Sequence, residues 1–255
     1  RGDEPCCAVT PRTINMNQLG AALTHDPAAL ADGPSVEALF VFGANPAASA
    51  PNAGLIARGL AREDLFTVVH ELFLTDTARY ADIVLPATSQ LEHLDVHKAY
   101  GHRTLLLNRP AIAPRGLARS NWDTQRALAE ALGFHEPWLL ADGESVLREV
   151  LAASIDAAQL DTLWEAGSVR LGGEAARVPF ADGRFPTPSG KLELLCAALA
   201  AEGVDPLPSY EPLSEVETPR VPGGAHGEPL VLLSGAAHHF VNSSLYPLER
   251  LRRLE

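Results

Sequence analysis

At 255 residues the chain is long enough for one large domain or two ordinary ones. With 46% hydrophobic, 20% charged and only 6% aromatic residues, it has the composition of a globular protein whose core is built mainly from Ala, Leu and Val. A net charge of -12 and scattered basic residues argue against nucleic acid as a partner, and no apolar run approaches the roughly 20 residues that span a bilayer.

In chain order, Thr13 to Leu23 fits a short helix started near Asn15 or Asn17. Val36 to Phe42 is a buried strand that ends in the sharp loop Gly43-Ala44-Asn45-Pro46, and Asn52 to Leu60 fits the following helix. Leu65 to Val69 is a second continuous apolar strand. Continuous rather than alternating apolar character predicts a parallel strand covered on both faces. Thr75 to Tyr80 reads as a helical turn. Ala81 to Pro86 is a third strand, stopped by Pro86, with Ile83, Val84 and Leu85 expected in the core. Strand, loop, helix and strand with short connections predict an α/β fold with a parallel βαβ sheet.

Trp122 to Leu132 is an amphipathic helix with Ser120 or Asn121 as N-cap and Gly133 as its stop. Ser145 to Leu163 holds one or two further helices, Arg177 to Pro188 is loop and short strand, and Gly190 to Glu202 is helical. Six prolines between residues 205 and 229 mark a linker, and Leu230 to Gly235 begins a new strand. The expected organisation is an α/β domain over 1–135, a helical and loop extension of it over 136–211, a Pro/Gly-rich linker over 212–228, and the start of a β-rich C-terminal domain over 229–255.

In an open α/β sheet, ligands bind at the carboxyl ends of the strands. Gly43 at such an end lets a backbone approach a phosphate, and Asn45 supplies a donor and an acceptor; the same four residues would also make an ordinary strand-to-helix turn. His70-Glu71 ends the second strand, where a carboxylate could accept from a ribose or a guanine-type edge, or simply sit solvated. Thr75 and Thr77 follow closely in sequence. His93, His97 and His102 invite a zinc reading, because His93 and His97 at i, i+4 would share a helix face. The order H-E-x-x-H is absent, and hydrogen-bonded loop histidines are the commoner outcome. Ser189 in Thr187-Pro188-Ser189-Gly190-Lys191 lacks the first glycine of a phosphate loop and reads better as a helix cap. Cys6, Cys7 and Cys196 form no CxxC pair and no four-cysteine cluster, so the default setting is cytoplasmic.

The ordered series Gly43-Ala44-Asn45-Pro46, Asp64 to Glu71, Thr75-Asp76-Thr77-Ala78, Ala81 to Ala87 and Gln90-Leu91-Glu92-His93 resembles the molybdopterin oxidoreductases. This is the superfamily of formate dehydrogenases, nitrate reductases and dimethyl sulfoxide reductases. Phe185-Pro186-Thr187-Pro188-Ser189-Gly190-Lys191-Leu192-Glu193 is similar to a second family signature, and Leu232 to Ser244 to the opening of its C-terminal domain.

The resemblance implies a bis(molybdopterin guanine dinucleotide) cofactor with molybdenum or tungsten. It implies cofactor contacts at Gly43, Asn45, His70, Glu71, Thr75, Thr77, His93 and Asn121, and in the C-terminal part at Ser234, Gly235, His238, His239, Asn242 and Ser243. No metal ligand or catalytic residue is expected within the chain. It starts at Arg1 rather than Met and is expected to be an internal, by itself inactive, portion of the enzyme. The metal-ligating residue and a 4Fe-4S cluster would belong to an upstream segment, and a periplasmic setting is then open for the full-length protein. The implied activity is two-electron redox of a small-molecule substrate, with an electron-transfer protein or domain as partner. Many relatives carry Lys or Gly at the position of His93 and Ser-Asp at that of His70-Glu71. A pterin-free relative, like the large subunit of respiratory NADH dehydrogenases, is the alternative, with the zinc hydrolase behind it.

Overall fold

A computed structural model describes residues 11–30, 33–172, 179–207, 209–210, 235, 237–240 and 242–254. The chain divides into two compact units, residues 1–171 with 237–255, and residues 172–236. The first unit opens with a 3-10 turn, Met16–Gln18, whose Asn15 side chain accepts from the Asn17 amide; it leads into helix α1, Leu19–Leu23. The expected helix thus begins later than Thr13.

Strand β1, Ala38–Phe42, pairs in parallel with β2, Phe66–Glu71, which pairs in parallel with β3, Ile83–Pro86. The connection from β1 to β2 contains a single-turn helix α2, Pro46–Ser49, and helix α3, Ala53–Leu60. Both faces of the sheet are covered at β2, where the successive residues Val69 and His70 are 0% and 1% exposed. Leu23, Ile56, Leu60 and Leu65 form a buried cluster against which Leu39 packs, and Val41, Val69 and Ala78 form a second. The α/β fold with a parallel sheet is therefore as expected, but the core assignment of β3 is not. Ile83 and Val84 are 44% and 41% exposed. β3 is an edge strand with one neighbour, so its apolar run lacks the two-sided cover that the sequence pattern implied.

A second, antiparallel sheet in the same unit joins β4, Asp95–Lys98, β5, Thr104–Asn108, and β6, Ser168–Arg170. Between β5 and β6 run α4, Asn121–Ala131, the single-turn α5, Pro137–Leu140, α6, Gly143–Ala152, and α7, Ala157–Ala166. Leu105 and Val169 pack with Leu151 of α6 and Leu163 of α7. Ser120 caps α4 through the Asp123 amide, and Asp156 and Gln159 form a reciprocal capping box on α7. The stretch containing His97 is thus a strand, with His97 opposite Leu106, and the shared helix face that motivated a zinc site does not exist. Among the described residues no group of three or more His, Cys, Asp or Glu could hold a metal.

In the second unit the helix expected over Gly190 to Glu202 shrinks to α8, Ala197–Ala201. Gly190 is left-handed (φ +67), Ser189 donates its amide to the Glu193 carboxylate, and the Lys191 amide donates to Ser189 Oγ. These local side-chain bonds give the backbone an alternative to helix. No strand forms over residues 179–188, and residues 230–234 of the expected C-terminal strand lie outside the described residues. A short helix α9, Glu249–Arg252, belongs again to the first unit. Among the described residues no helix is long and apolar enough to cross a membrane.

Candidate functional site at the carboxyl edge of the parallel sheet

Parallel pairing brings the carboxyl ends of β1, β2 and β3 to one edge: Phe42 lies opposite His70, and Glu71 opposite Pro86. Ligands of open parallel sheets bind at this edge. Gly43 leaves β1 with φ +59, and a side chain there would meet no atom within 4 Å. The backbone is therefore open to a neighbour at this point.

Asn45 and Thr77 are clasped together. Asn45 Oδ1 accepts from the Thr77 amide at 3.1 Å and from Thr77 Oγ1 at 2.7 Å, and the Ala47 amide donates to Thr77 Oγ1 at 3.1 Å. A backbone N–H can only donate, so the Asn45 amide group is oriented with its oxygen toward Thr77. Its nitrogen then faces the other way. Although Asn45 is only 7% exposed, that nitrogen has no hydrogen-bond partner among the described residues and still reaches solvent. Thr75 caps the turn above, its Oγ1 accepting from the Ala78 amide.

His70 is buried at 1% exposure. Its Nε2 lies 3.2 Å from the Arg119 carbonyl and 3.3 Å from Thr124 Oγ1. Glu71 is half-buried; its carboxylate accepts from the Leu72 amide, and its carbonyl accepts from the Ala87 amide. Past β3, the Thr88 amide donates to the Arg119 carbonyl and the Arg119 amide to the Pro86 carbonyl. The ends of β2 and β3 are thereby stitched to the residue that enters α4.

Beside this junction opens a cleft of about 1370 Å³, lined in part by Thr88, His93, Asp95, Ser120, Asn121 and Trp122. His93 Nδ1 lies 2.8 Å from Thr88 Oγ1, and its Nε2 4.0 Å from Asp95. Asn121 is exposed, and its side chain has no hydrogen-bond partner among the described residues. Glu92 is held below the usual glutamate value by the Ser89 amide and hydroxyl and by the Arg115 amide, so it stays a carboxylate. Asp123 accepts from Ser120 and pairs with Arg126. The first turn of α4 thus already carries its own anion. Carboxylates outnumber guanidinium groups around the cleft, so it suits a polar N–H- and O–H-bearing group better than a bare polyanion.

The structure thus brings together His93 with Asn121, Asn45 with Thr77, and His70 with the start of α4. Gly43, Glu71 and Thr75 share the same sheet edge without bonding to these pairs. His238 and His239 stack edge to face at 5.0 Å, Asn242 is left-handed, and the Ser243 carbonyl accepts from the Tyr246 amide. Gly235 belongs to the other unit, and Ser234 lies outside the described residues. Sequence reasoning missed Thr88 and Arg119. Thr88 was discoverable, because it directly follows the third strand end; Arg119 acts through its backbone, which leaves no mark in the sequence.

The family model for molybdopterin oxidoreductase matches residues 16–131. A probable oxidoreductase of Bacillus subtilis, YoaE, is 40% identical over 253 residues, which cover 96% of this chain and 34% of that protein. The assimilatory nitrate reductase catalytic subunit of the same organism is 34% identical over 119 residues, 47% of this chain and 16% of that one. Acetylene hydratase from Pelobacter acetylenicus has the same fold, with a TM-score of 0.68 at 24% identity over 93% of this chain and 32% of its own. The chain spans about a third of the length of YoaE.

Proposed function

Because this chain belongs to the molybdopterin oxidoreductase family, we propose that it is a cofactor-binding portion of a molybdenum or tungsten oxidoreductase, and that it holds the nucleotide part of a molybdopterin guanine dinucleotide. The observation that carries this reading is the oriented Asn45 amide. Its oxygen is taken by Thr77, which leaves its N–H groups, two residues past Gly43 at the end of β1, as unused donors. That donor pair fits a phosphoryl or carbonyl oxygen. Glu71 and Asp95 fit the N–H and O–H groups of guanine and ribose, and the Asn121 amide can both donate and accept. These residues bind and orient; the cofactor, when bound, supplies the two-electron redox chemistry. The substrate is a small molecule, and a 4Fe-4S cluster and an electron-transfer partner belong to the same reading of the full-length enzyme.

The test is metal and nucleotide analysis of the full-length gene product. Molybdenum or tungsten is expected together with guanine nucleotide released by acid hydrolysis. Folded full-length protein with neither metal nor pterin would sink the reading and favour the pterin-free relative.

A further inference from the structure

We propose that His70 is a positioning residue that works through Arg119: its Nε2–H locks the entry to α4 onto the carboxyl end of β2, and so aims Asn121 into the cleft. As far as it concerns the cofactor, this rests on the function proposed above. The bonding argument is independent of it. A carbonyl oxygen only accepts, so the 3.2 Å contact to Arg119 requires the proton on Nε2. The same carbonyl accepts from the Thr88 amide at 3.0 Å, and the Arg119 amide donates to the Pro86 carbonyl at 3.1 Å. The backbone of Arg119 is therefore held from the ends of two strands at once. Two residues later stands Asn121, exposed at the cleft, with the Ser120 cap between them.

His70 itself is too deep to meet a ligand: it is almost fully buried, and Thr124 Oγ1 closes on the same nitrogen at 3.3 Å. An imidazole that merely filled space here could be exchanged for leucine at little cost to the start of α4. An imidazole that fixes Arg119 could not, because the Arg119 carbonyl would keep only the Thr88 amide and lose its tie to β2.

The experiment uses the full-length gene product with His70→Leu, His70→Gln and His70→Asn. The Gln amide reaches the position of Nε2 and keeps a donor there; the Asn amide is too short. Three readouts are taken: guanine nucleotide content, melting temperature, and hydrogen exchange of the amides from 119 to 124. His70→Leu and His70→Asn are expected to exchange faster at 119–124 and to retain roughly tenfold less nucleotide, with His70→Gln close to wild type on both. Nucleotide loss is also expected to be non-additive with Asn121→Ala, the double variant being no worse than Asn121→Ala alone. Should His70→Leu fail to fold, the Gln and Asn pair decides. Equal behaviour of Gln and Asn, unchanged exchange at 119–124, or additive losses with Asn121→Ala would overturn the proposal. Wild-type protein without nucleotide would instead remove the functional reading, while the exchange data still test the Arg119 contact.

Discussion

At the scale of single residues, the carboxyl edge separates side chains that hold the loops from atoms left available to a ligand. Asn45 does both, one with each end of its amide. Asn45→Asp keeps an oxygen toward Thr77 but replaces the free N–H groups with a second acceptor. A carboxylate at this nearly buried position is expected to cost about 1–3 kcal/mol, and guanine nucleotide per folded protein to fall roughly tenfold; equal retention of nucleotide would remove Asn45 from the proposed binding site. Thr77→Val takes away a donor to Asn45 and an acceptor for Ala47 together. An expected loss of about 1–3 kcal/mol is checked by chemical denaturation. The positions of Asn45 and Thr77 near strand ends were legible in the sequence. Their clasp was not, because it joins residues 32 apart.

At the scale of elements, α1 and α3 meet because glycines let them. A Cβ on Gly59 would sit 2.4 Å from Leu23 Cβ, which no packing tolerates without movement. Gly59→Ala gains up to about 1 kcal/mol in helix propensity, but forces overpacking that costs roughly 1–3 kcal/mol. The net expectation is destabilisation, read as a lower melting temperature; a higher one would show that the helices separate freely. Strand and helix boundaries near Gly43, Pro86, Ser120 and Gly133 were readable, since turn and capping chemistry is local. The β4–β5 hairpin was not. Its Asp95-Val96-His97-Lys98 strand is short and mostly polar, and what makes it a strand is pairing with Leu105 to Asn108 and packing on α6 and α7.

At the scale of the whole molecule, the acidic balance has a predictable consequence. Asp64 is held low by its bond to Arg62, Glu92 by the Ser89 amide and hydroxyl, Asp142 by Ser145, and Glu144 by Arg148 and Trp164. A carboxyl group whose pKa is lower folded than unfolded adds stability above its unfolded value, and that contribution is lost as pH falls through the folded value. Melting temperature is therefore expected to hold from pH 7 down to about 4.5 and to drop below it; a flat profile to pH 3 would contradict these bonds. The α/β class, the positions of the strand ends and the family resemblance were already written in the sequence, because these reside in continuous apolar runs, turn residues and the order of short motifs. The tertiary structure alone decided that β3 is an exposed edge, that His97 lies on a strand, that His70 is buried beneath α4, and which end of Asn45 is free. Each of those depends on contacts between distant residues, and a local pattern carries no information about which partner will cover it or bond to it.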